Sequence, residues 1–145
     1  MPGGRDPRPP LSGDRDTISA RESTTIAGVS ADRVLIGIRA SVGAGAWIAP
    51  RLAGRLFGLD AVANPQLPYV ARLFGVRDVT LAAGLALSTG QSRRLWFQLG
   101  IACDVADTVA GLAAGRQGEI SRLSTVLVTA PALLGIGLGI AGLRA

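Results

Sequence analysis

The run Leu123 to Leu143, LSTVLVTAPALLGIGLGIAGL, contains 21 residues and no charge. A helix rises 1.5 Å per residue, so about 20 residues cross a hydrocarbon core of about 30 Å, and this run reads as a transmembrane helix. Pro131 lies inside it, where the missing backbone donor predicts a kink that neighbouring helices tolerate. Three further apolar segments of near-spanning length lie upstream. Val34 to Pro50 is broken only by Arg39, Leu67 to Leu87 contains Arg72, Arg77 and Asp78, and Leu95 to Gly115 contains Asp104 and Asp107. The connections Ser88 to Arg94 and Arg116 to Arg122 are short, which predicts antiparallel neighbours. The expected fold is all-α: a four-helix transmembrane bundle over residues 34–145, multi-pass in the cell membrane, preceded by a tail over residues 1–33.

That tail holds four prolines, four glycines and ten charges that sum to zero, with no aromatic residue. Such a stretch buries too little apolar surface to offset the entropy of ordering, and is expected to be disordered. No basic stretch followed by a short apolar core appears near Met1, so the first apolar helix is expected to direct insertion without a cleaved signal. Ser30 or Asp32 is placed to cap it.

Composition excludes more than it suggests. Of 145 residues 48% are hydrophobic and 17% charged, and the fifteen basic residues are all arginine. The absence of His and Lys removes imidazole metal sites, Ser-His and Cys-His nucleophiles, lysine-bearing phosphate loops and Schiff-base chemistry. With Cys103 alone there is no intrachain disulfide, and no catalytic residue, metal or cofactor is indicated. The formal charge of +5 raises the question of nucleic acid. However, Arg33, Arg51, Arg93, Arg94, Arg116, Arg122 and Arg144 stand at the borders of apolar segments, as membrane-flanking residues do, and the bilayer is the expected partner.

Trp47 falls at the end of the first segment, Tyr69 and Trp96 at the starts of the second and third, all of them interface positions for aromatic anchors. Arg51 and Arg55, four apart and opposite Leu52, Leu56 and Leu59, predict a short amphipathic helix on the membrane surface. Counting Arg21, Arg33, Arg93, Arg94 and Arg144 on the terminal side against Arg51, Arg55, Arg116 and Arg122 on the other favours cytoplasmic termini. Gly111 with Gly115 and Gly135 with Gly139 form GxxxG faces for close helix packing, leaving a homo-oligomer or a partner membrane protein open. Arg55-Leu56-Phe57-Gly58-Leu59 repeats as Arg72-Leu73-Phe74-Gly75-Val76 and reads as an interfacial anchor used twice.

The informative constellation is charged. Arg77 lies 11 residues before Ser88 and Asp104 lies 10 after Arg94, so both sit about 15 Å into their helices, near mid-bilayer. Asp104 and Asp107 share one helical face, whereas Arg77 and Asp78 diverge by about 100°. Arg39 joins from the first segment, giving two arginines against three aspartates. Two aspartates at a helix centre cost about 5–7 kcal/mol on insertion scales, so the third segment is expected to insert as a hairpin with the second, its charges paired. Arg39, Arg77, Asp78, Asp104 and Asp107 form either a polar lock that sets helix register or a site that carries a proton or substrate.

The stretch Arg72-Leu73-Phe74-Gly75-Val76-Arg77-Asp78, followed by a Gly-rich apolar run and the Asp104/Asp107 helix, resembles a family of small uncharacterised four-helix integral membrane proteins frequent in actinobacteria. The resemblance spans roughly Val34 to Leu143 and rests on the Phe-Gly-x-Arg-Asp signature. It implies the fold and brings no activity. The expected role is an accessory or scaffold membrane subunit. A small proton-coupled carrier using a membrane aspartate is the alternative, and a membrane enzyme acting on an isoprenoid or lipid the third reading.

Overall fold

The computed structural model describes residues 13–144, with side chains from residue 31 onward. Among the described residues the chain forms five helices and no strand: α1 (Gly13–Ile48), α2 (Pro50–Leu56), α3 (Leu67–Leu87), α4 (Gly90–Gln117) and α5 (Arg122–Arg144). Two of them, α4 and α5, are long and apolar enough to cross a membrane.

Helix α1 begins at Gly13 and so takes in residues 13–33, which the composition assigns to the tail. The prolines of the expected tail all lie at or before Pro10, and residues 14–27 contain neither proline nor glycine, so nothing there breaks a helix. The rest of the expected tail, residues 1–12, lies outside the described residues. Because the helix runs through Ser30 and Asp32, neither is its cap.

Proline sets the next boundaries. Pro50 disfavours helical backbone at Ala49, which has φ −125°, so α1 stops at Ile48 and α2 starts with Pro50 in its first turn. The Arg51/Arg55 segment is thus a helix of seven residues. Gly58 follows it at φ +71°, where the Leu59 N–H returns to the Gly54 carbonyl at 2.8 Å. Pro68 occupies the first turn of α3, the other place where a missing N–H costs nothing. The α3–α4 connection shrinks to Ser88 and Thr89, and α4 closes on Gly118 at φ +72°. Helix α5 is continuous through Pro131.

Helix α1 packs on α3 and α5, and α4 packs on α5 and α3, so that α1 and α4 face one another across the centre. At one end Arg93 of α4 donates to Asp32 of α1 at 2.5 Å, and Gly142 of α5 lies against Phe97. At the other end the Ser124 hydroxyl donates to the Gly58 carbonyl at 2.9 Å, and Gly54 lies against Leu67. Successive long helices therefore run in alternating directions.

Packing is uneven along the axis. Leu35, Leu85 and Phe97 form a buried apolar core near the Asp32 end, with Ile36, Trp96, Leu138 and Leu143 against it. Toward the α2 end the interior opens instead into a cavity of about 520 Å³. Between α1 and α3, Gly43 and Gly75 bring backbone against backbone: a Cβ on either would collide with the other's carbonyl oxygen. Only residues without side chains allow this approach.

Candidate functional site

Between the packed end and the hollow end lie all five charged residues that the sequence places near mid-bilayer. Arg39 is the hub. It projects from α1 into the centre and is 4% exposed, with Asp78 at 6% and Asp104 at 5%. One terminal nitrogen donates to Asp104 Oδ2 at 2.5 Å and to the Gly100 carbonyl at 3.4 Å; the other donates to Asp78 Oδ1 at 3.3 Å. A single guanidinium thus ties α1 to α3 and, across the diagonal, to α4. Planar donors that fork toward two carboxylates are a property of arginine that a point-charge ammonium lacks.

Arg77 holds the more exposed half of the network. It grips Asp107 through both terminal nitrogens at 2.8 and 2.7 Å and also donates to Asp78 Oδ1 at 3.3 Å. Its guanidinium lies 4.2 Å from the centroid of the Phe74 ring, a cation–π contact. Asp78 Oδ1 therefore accepts from both arginines and joins the two halves.

The pairing differs from the one that depth alone suggests. Arg77 and Asp104 are matched in depth but do not touch; Arg77 pairs with Asp107, and Asp104 belongs to Arg39. Depth follows from counting residues, but direction around the axis follows from how the helices are rotated. Asp104 faces inward toward Arg39 and α5, where Gly135 makes room for it: a Cβ there would overlap the carboxylate. Asp107, one turn on, faces α3.

This pairing predicts the outcome of charge reversal. Arg77→Asp and Asp107→Arg should each lower stability by about 1.5–3 kcal/mol, the worth of hydrogen bonds to charged groups. The double variant should recover more than half of that loss in thermal unfolding followed by helical circular dichroism. Combining Arg77→Asp with Asp104→Arg should recover nothing, since those positions share no contact.

The other singled-out residues have structural surroundings. Gly111 and Gly115 of α4 face Val128, Thr129 and Thr125 of α5, while Gly135 and Gly139 of α5 face Asp104 and Ile101 of α4. Both GxxxG faces are therefore used inside the chain, between α4 and α5. Trp47 and Tyr69 are exposed near the α2 end, and Trp96 lies over Gly84 near the opposite end. Phe57 and Phe74, the aromatic residues of the short repeat, both line the cavity. Cys103 is a half-buried free thiol.

Sequence reasoning misses three features. The Gly43–Gly75 crossing has no spacing signature, because its two members stand on different helices. Asp32 and Arg93 read separately, as a cap and a flanking charge. The cavity is a property of helix splay, which no residue pattern announces.

Chemically, the network is acceptor-rich: three carboxylates face two guanidinium groups. Among the described residues no group of three His, Cys, Asp or Glu side chains is placed to hold a metal ion. Arg39, Asp78 and Asp107 form the polar floor of the cavity, and its remaining walls are mainly apolar. Compared with protein-family models, curated proteins and solved structures, the chain matches none.

Proposed function

We propose that the chain is a small integral membrane protein in which α1, α3, α4 and α5 each cross the bilayer as a four-helix bundle, and that it serves as an accessory or scaffold subunit. The observation that carries this reading is the inverted distribution of polarity. Charged Arg39, Asp78 and Asp104 are inside, while Leu99, Val105, Val109, Leu133, Leu134 and Ile140 point outward. A chain folded for water does the reverse, and outward apolar faces of this extent need a nonpolar surrounding. Residues 31–48 rise about 27 Å and α3 about 32 Å, both near the hydrocarbon thickness. Of the three charges that lower the hydropathy of α3, Arg77 and Asp78 are turned into the network, and Arg72 is exposed near the start of the helix.

Cysteine accessibility tests it. With Cys103→Ala as background, single cysteines at Asn64, Thr89 and Glu119 are treated with a membrane-impermeant maleimide in intact cells and in opened membranes. Asn64 and Glu119 should label from one face and Thr89 from the other, with Thr89 on the cytoplasmic face. Labelling of all three from the same face defeats the four-span arrangement, and recovery of the chain without detergent defeats membrane residence.

The cavity favours a second reading, a small carrier. A scaffold gains nothing from an apolar cavity lined in part by charged groups, whereas a ligand site has that form.

A further inference from the structure

The cavity is the feature that the polar lock leaves unexplained. Its volume of about 520 Å³ falls within the range of small-molecule sites, roughly 300–1,000 Å³. From Arg39 to Ala46 on α1, and from Asp107 to Ala114 on α4, its walls rise about 10 Å from the charged floor toward α2. Phe57, Leu59 and Leu67 line the far end.

The floor discriminates by charge. Three ionised carboxylates against two guanidinium groups leave a net negative charge in a region of low dielectric, where charge is felt strongly. Of the carboxylates, Asp78 and Asp104 each leave one oxygen without a donor, and of these two only Asp78 lines the cavity. Its Oδ1 takes both arginines, while among the described residues its Oδ2 accepts no hydrogen bond. The unpaired donors, Arg39 Nε and Arg77 Nε, are packed out of contact with solvent and offer nothing to an incoming group. Asp107 spends both oxygens on Arg77. A carboxylate or phosphate would thus meet a net negative floor, and a neutral alcohol would leave its charge uncompensated.

We propose that the cavity binds a lipophilic ammonium ion, with the nitrogen donating to Asp78 Oδ2 and the apolar body lying between Phe57, Phe74, Ala114 and Val128. The ion brings the missing positive charge, and its body fills space that the helices leave empty. The proposal deepens the carrier reading and rests on it. The depth of the cavity matches an extended octyl chain, which sets the probe.

The full chain is placed in nanodiscs of zwitterionic phosphatidylcholine, and n-octylammonium, n-octanol and n-octanoate are titrated by equilibrium dialysis against empty discs. Octylammonium should bind saturably at one per chain, octanol at least tenfold more weakly, and octanoate not above the empty-disc background. Asp78→Asn should weaken octylammonium binding by tenfold or more while leaving the two arginines matched by two aspartates. Ala114→Phe, which touches no charge, should abolish binding by filling the cavity, and it carries the test if Asp78→Asn does not fold. Equal binding of the three probes overturns the proposal, as does binding that survives in a folded Ala114→Phe variant. Neither outcome affects the cysteine labelling pattern, so failure of the site and failure of the membrane reading are told apart.

Discussion

Arg39→Met is expected to cost about 3–5 kcal/mol, the largest loss among single substitutions in this chain, because it strands Asp104 as an unpaired buried charge and leaves Asp78 with Arg77 alone. A domain of this size has only about 5–15 kcal/mol to lose, so the variant should unfold or aggregate on extraction into mild detergent. Methionine matches much of the arginine stem in volume, so the loss reports the charge and not a void. The mirror experiment removes both partner charges: Arg39→Met with Asp78→Asn and Asp104→Asn should regain most of the lost stability, since an interior free of unpaired charge is often as stable as one with paired charge. Both are read by thermal unfolding in the same detergent. A single variant as stable as the parent would show that Arg39 does not hold the helices together.

The second large effect belongs to Gly75. A side chain there has nowhere to go, because the carbonyl of Gly43 and the backbone nitrogen of Trp47 occupy the space. Backbone cannot rotate aside as a side chain does, so Gly75→Leu must separate α1 from α3, at a cost of about 3 kcal/mol or more by the usual overpacking scale of about 1–3 kcal/mol. Gly37 and Gly137 make the contrast, with nothing within 4 Å of the place a methyl group would take on either. Gly37→Ala and Gly137→Ala should be neutral or stabilise by about 0.5–1 kcal/mol, the helix-propensity difference. The same melting experiment ranks all three variants. The effect of Gly75→Leu also reaches the network, because Arg77 and Asp78 follow immediately on the same helix.

Much of this architecture is legible in the sequence. The apolar segment Leu67 to Leu87 is α3 residue for residue, because Pro68 at its start and the Ser88-Thr89-Gly90 turn at its end are chemical punctuation. The five charged residues do converge, because charge at mid-depth has few places to go. The pairing within the cluster is not legible. Adjacent residues such as Arg77 and Asp78 differ by about 100° around the helix, and a modest rotation of one helix exchanges Asp104 for Asp107 as a partner. The start of α1 is hidden for another reason. A polar stretch without glycine or proline is compatible with both coil and helix, and composition alone does not decide between them. The void near α2 is hidden because apolar residues such as Phe57, Ala114 and Val128 look the same in sequence whether they touch or stand apart.

The diagonal reach of Arg39 has a consequence for how the protein is made. Its two carboxylate partners lie 39 and 65 positions further along the chain. As the chain leaves the ribosome, α1 is complete while both counter-charges are still untranslated, so its guanidinium has neither carboxylate partner until α3 and then α4 arrive. The central clasp is therefore complete only once Asp104 of α4 has been made, after both members of the Gly43–Gly75 contact. A truncated product ending before α4 lacks Asp104 and so keeps only the Asp78 half of the clasp.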